Sequence, residues 1–194
     1  MDYLAAKIYI LRKLRDELSD DLYYHGIHHT LDVLRETISL CKAEQISPYN
    51  TILLKTAALY HDSGFIYTNT GHEAAGCEIV RKILPQFFYT DQEIDSICGM
   101  IMATKIPQTA HNIYEQIICD ADLDYLGRDD FKAIGDSLFE ELKAYNVLET
   151  EQQWNRMQIS FLESHKFFTH TNMTRRAPEK QKHLMKLKGI VAKY

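Results

Sequence analysis

The chain places a histidine-aspartate pair at the end of an apolar segment. Residues 52–59, Ile-Leu-Leu-Lys-Thr-Ala-Ala-Leu, lead within two residues to His61 and Asp62. The segment predicts a buried helix, where a carboxylate without a partner would be energetically costly. The pair therefore requires partners from elsewhere in the chain. Two segments offer matching chemistry: residues 24–29 contain three histidines, and residues 119–124 contain three aspartates.

The rest of the sequence predicts one all-α domain over residues 1–194. Apolar side chains recur at three- and four-residue steps, as in amphipathic helices, and no convincing stretch alternates with a period of two. Capping boxes at Thr90 and Thr150 are expected to begin two of the helices. We expect helices near residues 4–18, 25–44, 51–63, 71–85, 91–106, 130–145, 151–162 and from 177 onwards, with the C-terminal helices over about residues 150–194.

Charge, hydropathy and cysteine content argue against several classes of protein. The 22 basic and 27 acidic side chains give a net charge of −5, so the molecule as a whole has no nucleic-acid signature. No apolar run approaches about 18 residues, so we expect no membrane-spanning segment, and the N-terminal residues show no signal peptide. The four cysteines are scattered without a CxxC pair and are predicted to be reduced, mostly buried thiols of a cytoplasmic protein.

Residues 164–194 are locally basic, with eight lysines and arginines against Glu179 alone. Arg175 and Arg176 would bind a substrate phosphate through paired hydrogen bonds if this segment folds over the site. A solvated helix face is one alternative. A contact between copies of the chain in a homo-oligomer is another.

The histidine and aspartate segments together indicate a metal site. His25 and His29 are four residues apart and share one helix face. His61 and Asp62 are adjacent, so their side chains can bind the same metal ion only near a helix end or at an irregular turn. With an aspartate from the loop after Cys119, two imidazoles and two carboxylates suit a divalent metal with open positions for water and substrate. Each segment alone also has an interpretation without a metal. The histidines would lie at a helix interface, and the aspartates would cap helices.

The order of these residues resembles the HD superfamily of metal-dependent phosphohydrolases. The H…HD…D signature of that superfamily matches His29, His61, Asp62 and Asp122. The resemblance covers about residues 22–130 and implies a helical bundle of the HD/phosphodiesterase-like type. The flanking residues are similar to the family's Tyr-His-x-x-x-His-x-x-x-Val, apolar-His-Asp-x-Gly and Ala-Asp-Leu segments, here residues 24–33, 59–64 and 121–127.

The resemblance implies a role for each matching residue. His29, His61, Asp62 and Asp122 would hold one divalent metal, with Mn, Fe, Zn, Co, Ni and Mg open as its identity. Asp62 would thereby belong to the catalytic group. His25 stands where cyclic-nucleotide phosphodiesterases keep the histidine that protonates the leaving oxygen, with a supporting or surface histidine as the alternative.

Further positions are candidates for contact with the substrate. His72 and Glu73 resemble a His or Asn-Glu pair that follows the HD motif in many members and would contact phosphate, orient a water or bind a second metal; a plain helix start is the alternative. Lys105 would pair with a phosphate oxygen in catalysis, or be merely exposed. Two-metal members carry another histidine near Thr104, and His111 comes later on a polar loop, so a second metal is not expected.

These features predict a metal-dependent hydrolase of a small phosphate ester, with a nucleotide as the favoured substrate and phosphomonoesterase and phosphodiesterase both open. One alternative is a non-catalytic module that keeps the metal and senses a nucleotide. The other is an HD-type di-iron oxygenase, which Thr104 disfavours. The expected partner is a small phosphorylated substrate, with no membrane and no clear nucleic-acid partner.

Overall fold

The computed structural model describes residues 1–194 and contains α-helices and short 3-10 turns without β-strands. This confirms the all-α prediction. The 3-10 turns span Ser63–Ile66, Leu84–Phe87 and Asp124–Gly127. The α-helices are α1 (Tyr3–Glu17), α2 (Ile27–Ala43), α3 (Pro48–Tyr60), α4 (His72–Ile83), α5 (Asp91–Ala103), α6 (Ile113–Asp122), α7 (Phe131–Ala144), α8 (Glu151–Ser164), α9 (His170–Arg175) and α10 (Ala177–Val191).

Most helices begin where the sequence offers a cap. Capping boxes begin α5 at Thr90 and α8 at Thr150, as predicted. α3 begins earlier than predicted, because Ser47 accepts a hydrogen bond from the backbone N–H of Asn50 and Pro48 takes the first helical position. None of the helices combines the length and the apolar character that crossing a membrane requires.

The predicted buried helix is α3, which contacts α1, α2, α5 and α6. Its side chains Leu54, Ala57 and Tyr60 are fully buried in the larger hydrophobic core. Because α3 is buried on several sides, it carries the next two residues, His61 and Asp62, into the interior. All four cysteines are buried free thiols, as predicted.

A second hydrophobic cluster joins the segment after α6 to the C-terminal helices. α10 packs against α8 and against the 3-10 turn Asp124–Gly127. The C-terminal helices are thereby held beside the acidic segment at residues 119–124. The cluster contains Tyr24, Leu123, Tyr125, Leu126, Phe131, Leu162, Phe167, Leu184 and Leu187.

Several local predictions were wrong. His25 and His29 do not share a helix face, because α2 begins at Ile27 and His25 precedes it. Asp122 is the last residue of α6 and does not lie in a loop, because Asn112 caps this helix through the N–H groups of Tyr114 and Glu115 and its apolar side is buried. The helix His170–Arg175 was not predicted, since it is only six residues long and shows no extended apolar stripe.

Gly64 allows the 3-10 turn after His61 and Asp62 to pack directly on α4. A Cβ atom at this position would lie 1.9 Å from the carbonyl oxygen of His72 and 2.8 Å from the backbone nitrogen of Gly76. Both neighbours are backbone atoms of α4, so they cannot move aside as a flexible side chain would. Glycine at position 64 therefore sets the distance between the His-Asp pair and α4.

We expect Gly64→Ala to lower the free energy of unfolding by about 2 kcal/mol or more, because α4 must shift to admit the methyl group. Urea denaturation measures the change. Gly189→Ala in α10 is the control, since its Cβ would meet no atom within 4 Å, and it should stabilise the protein by up to about 1 kcal/mol. A Gly64→Ala protein as stable as the wild type would contradict the close packing.

Candidate metal centre

Four polar side chains from three helices converge at one point. His29 lies in the first turn of α2, His61 and Asp62 follow the end of α3, and Asp122 ends α6. The Nε2 atoms of the two histidines lie 3.4 Å apart. Asp122 Oδ1 lies 3.1 Å from His29 Nε2 and 3.6 Å from His61 Nε2. Asp62 Oδ2 lies 3.1 Å from His61 Nε2 and 3.4 Å from His29 Nε2.

The structure thus brings together all four predicted ligands, which we call the metal cluster, and their spacing suits a divalent cation. Ligand atoms about 2.0–2.2 Å from one ion lie roughly 3.0–3.5 Å from their neighbours. The donor atoms of His29, His61 and Asp122 all lie within 4.8 Å of one another. Asp62 Oδ2 is buried without a hydrogen-bond partner, which is costly unless a cation neutralises it.

Charge within the cluster keeps both aspartates ionised. Burial alone would raise the pKa of Asp62, but the charge of His61 outweighs burial and holds this pKa well below its usual range. Burial also opposes ionisation of Asp122, yet the hydrogen bond with His29 and the proximity of His61 lower its pKa to about 2. At neutral pH both carboxylates are therefore in the form that binds a metal.

Two contacts orient the metal-cluster residues. His61 Nδ1 lies 2.9 Å from the carbonyl oxygen of Ala58. Since a carbonyl only accepts hydrogen bonds, Nδ1 carries a proton that it keeps. Nε2 is then the nitrogen that would give up its proton to bind a metal. The side-chain amide of Gln108 donates to Asp122 Oδ2 at 3.3 Å and to the carbonyl of Cys119 at 3.2 Å. Gln108 lies in the loop between α5 and α6, where no sequence pattern marks it as a support for Asp122.

His25 lies beside the metal cluster and is held by Glu141 of α7. Its Nδ1 pairs with Glu141 Oε1, and Glu141 Oε2 accepts the backbone N–H groups of Tyr24 at 2.8 Å and His25 at 2.9 Å. Burial lowers the pKa of His25, but the hydrogen bond with Glu141 and the charge of Asp62 outweigh burial and raise it. Nε2 is therefore the ring nitrogen left for proton transfer. Glu141 was missed because it lies 116 residues away in sequence.

His72 and Glu73 also reach the metal cluster. The ring of Phe65 stacks on His25 and on His72, with centroid distances of 4.2 Å and 3.9 Å. His72 Nε2 lies 3.6 Å from Asp62 Oδ1 and 3.4 Å from Glu73 Oε1. These atoms form a second group of donors beside the first. The number of bound metals stays a prediction.

Lys105 and His111 remain apart from the metal cluster. Both side chains are exposed, and neither lines the cavity beside it. Thr104, at the position where two-metal relatives keep a further histidine, is buried, and its hydroxyl donates to the carbonyl of Ile101 at 2.8 Å. The structure therefore does not bring Lys105 to the place expected for a phosphate-binding residue.

Arg175 and Arg176 form internal ion pairs. Arg175 Nη2 lies 2.9 Å from Glu36 Oε2 and 3.1 Å from Asp124 Oδ1, and Arg176 Nη2 lies 2.9 Å from Asp124 Oδ2. Glu36 and Asp124 are buried, so they require these cations. Neither arginine lines the cavity. The structure thus does not place the two arginines where the substrate was expected.

A cavity of about 230 Å³ adjoins the metal cluster. Its remaining walls come from the 3-10 turn Asp124–Gly127, from α7 and from α8. Through the two aspartates, a molecule in this cavity would have direct access to a bound cation. The histidine and acidic side chains that line it are His25, Asp62, His72, Glu73 and Asp122.

Comparisons with known proteins point to one family. Residues 26–124, which include the whole metal cluster, match the HD domain. An uncharacterized protein of Clostridium beijerinckii is 33% identical over 92 residues, which are 46% of this chain and only 58% of that protein. The fold is similar to the crystal structure of a predicted HD superfamily hydrolase from an uncultured Thermotogales bacterium, with a TM-score of 0.63 and 20% identity over 95% of this chain and 91% of that chain.

We expect the purified protein to bind one divalent cation tightly per chain, because one set of four donor atoms converges. Asp122→Asn should lose most of this metal, since it removes a charged ligand. Gln108→Ala should weaken metal affinity about tenfold, because Asp122 loses the amide that orients it. Elemental analysis and competition with a chelator measure both effects.

Gln92→Ala is the control, because Gln92 is an exposed side chain on α5. Equal metal affinity of the Gln108→Ala and Gln92→Ala proteins would exclude an orienting role for Gln108. Two tightly bound cations per chain would contradict the single-metal prediction.

Proposed function

Because the chain belongs to the HD domain family, we propose that it is a metal-dependent hydrolase of a small phosphate ester. The observation that carries the proposal is the convergence of two imidazoles and two carboxylates beside a cavity. A nucleotide is the substrate predicted from the sequence.

The side chains divide the chemistry among them. A divalent cation held by the metal cluster would polarise a phosphoryl oxygen and lower the pKa of a bound water. His72 and Glu73 border the cavity next to Asp62 and would orient the attacking water by hydrogen bonds. His25 would give a proton from Nε2 to the leaving oxygen, because Glu141 holds Nδ1.

The geometry favours a hydrolase over the alternatives. A sensor that binds a nucleotide without turnover needs the metal cluster but no proton donor, whereas His25 lies at the cavity with Glu141 fixing its ring. A di-iron oxygenase of this family needs the fuller ligand set. Position 104 holds a threonine whose hydroxyl is bonded to a backbone carbonyl.

Metal-loaded protein should release inorganic phosphate from at least one ester in a panel of aryl, alkyl, sugar and nucleoside phosphates. Asp62→Ala should lower the rate by at least about a hundredfold, because it removes a metal ligand that also borders the cavity. Colorimetric phosphate detection measures the rate. Asp95→Ala, an exposed aspartate of α5, is the control and should keep wild-type turnover. Metal-loaded wild-type protein that hydrolyses no ester would overturn the proposed function.

His25→Ala should slow hydrolysis of an alkyl phosphate about a hundredfold or more, and that of 4-nitrophenyl phosphate much less, because only a poor leaving group needs a proton from the enzyme. Glu141→Gln should show the same selectivity in weaker form, since it keeps the side-chain shape and removes the charge that orients His25. The ratio of kcat values for the two substrates is the measurement. Equal losses on both substrates would assign His25 and Glu141 a structural role.

A further inference from the structure

The cavity beside the metal cluster has two unlike parts. One part consists of the titratable side chains around Asp62 and Asp122. The other is apolar and comes from one face of α7 and one face of α8, where residues three, four and seven positions apart lie on the same side of the helix. The side chains that α7 and α8 contribute to the apolar part include Leu138, Leu142, Trp154, Met157 and Phe161.

The apolar part offers few partners to a polar ligand. No lysine or arginine lines the cavity. The uncharged polar groups in the wall are the side chains of Tyr24, Tyr125 and Trp154 together with two that already donate hydrogen bonds. These two are Thr104, which donates to the carbonyl of Ile101 at 2.8 Å, and Gln158, which donates to Asn155 Oδ1 at 3.3 Å. A charged group placed between α7 and α8 would therefore lack a countercharge, which is costly in an apolar site.

The size of the cavity sets a second limit. An apolar cavity of about 150 Å³ accommodates one benzene ring. The volume of about 230 Å³ therefore has room for one ring with a short substituent, or for a short alkyl chain. A nucleoside triphosphate is much larger, and its additional charged groups would find no lysine or arginine in the cavity wall.

We propose that the substrate is a phosphate monoester of an apolar alcohol, that is, an aryl or short alkyl phosphate. This inference rests on the proposed function, since it places the phosphoryl group at the metal cluster and the hydrocarbon between α7 and α8. The oxygen of a water bonds to phosphorus, and the bond from phosphorus to the ester oxygen breaks, leaving its electron pair on the ester oxygen. One water proton stays on the phosphate and the other reaches the ester oxygen through His25, so the products are inorganic phosphate and the neutral alcohol.

Trp154 provides a direct measure of binding, because it is the only tryptophan of the chain and lies in the apolar wall. Its fluorescence would be titrated, in metal-loaded protein, with the non-hydrolysable series methyl-, propyl- and hexylphosphonate. We expect Kd to fall by about fourfold for each added methylene until the cavity is full. Affinity that does not change with chain length would overturn the inference.

Phosphate release separates this inference from the proposed function. Metal-loaded protein would be given hexyl phosphate, phenyl phosphate, ribose 5-phosphate and adenosine monophosphate. We expect kcat/KM for the first two to exceed that for the last two by at least tenfold. Turnover of the sugar or nucleoside phosphate in preference to the apolar esters would overturn the inference and leave the proposed function standing. No turnover of any ester would overturn both.

Met157→Lys tests the position of the hydrocarbon. Met157 is 39% exposed while it lines the cavity, so a lysine can be accommodated without loss of folding. The ammonium group should weaken hexylphosphonate binding at least tenfold and leave methylphosphonate binding unchanged. Met185→Lys is the matched control, because Met185 on α10 is 59% exposed and lies outside the cavity. Equal effects of the two variants on hexylphosphonate would place the chain elsewhere and overturn the inference.

Discussion

Two carboxylates and two imidazoles meet in the protein interior with neighbouring polar atoms 3.1–3.6 Å apart, and the packing of three helices is what brings them there. The apolar sequence of α3 carries His61 and Asp62 inward from its C-terminal end. Gly64 then lets the chain turn against α4, where a larger residue would collide with the backbone. Asn112 sets the start of α6 so that Asp122 falls on its final residue. A buried charge is costly without a partner. The helix ends that carry these four side chains must therefore keep their positions relative to one another.

The three aspartates at the end of α6 have two different roles: one is a predicted metal ligand, and the other two bind the C-terminal segment. Asp120 and Asp124 are four residues apart and lie on one side, whereas Asp122 points away from them towards the metal cluster. Asp120 accepts hydrogen bonds from the backbone N–H and the hydroxyl of Thr169 at 2.8 Å and 2.6 Å. Asp124 pairs with Arg176 at 2.9 Å. These contacts hold the C-terminal segment against residues 120–124, which include the predicted metal ligand Asp122.

The distance along the chain between interacting residues decides which parts of the site could be predicted from the sequence. The fold class follows from the local periodicity of apolar side chains. The four ligands are identified only through the resemblance to the H…HD…D signature, since His29 and Asp122 lie 93 residues apart. The roles of Gln108 and Glu141 depend on contacts across the fold, 14 and 116 residues away. Arg176 was predicted to bind phosphate because it lies in a basic segment. Its actual partner, the buried Asp124, is distant in sequence and could not be recognised from the sequence alone.

The cavity joins the part of the chain that matches the HD domain with a part that lies outside the match. The metal cluster falls within residues 26–124, whereas the apolar wall comes from α7 and α8. Because one fold supports many reactions, the matched part alone does not fix the substrate. In our proposal, the wall from α7 and α8 selects the molecule that reaches the metal cluster. The two parts are not independent: Glu141, which holds His25, lies on α7 between the cavity-lining residues Leu138 and Leu142. A shift of α7 would therefore alter the shape of the cavity and the position of His25 together. If His25 is the proton donor, as we propose, the fit of the ligand and proton transfer are coupled through this one helix.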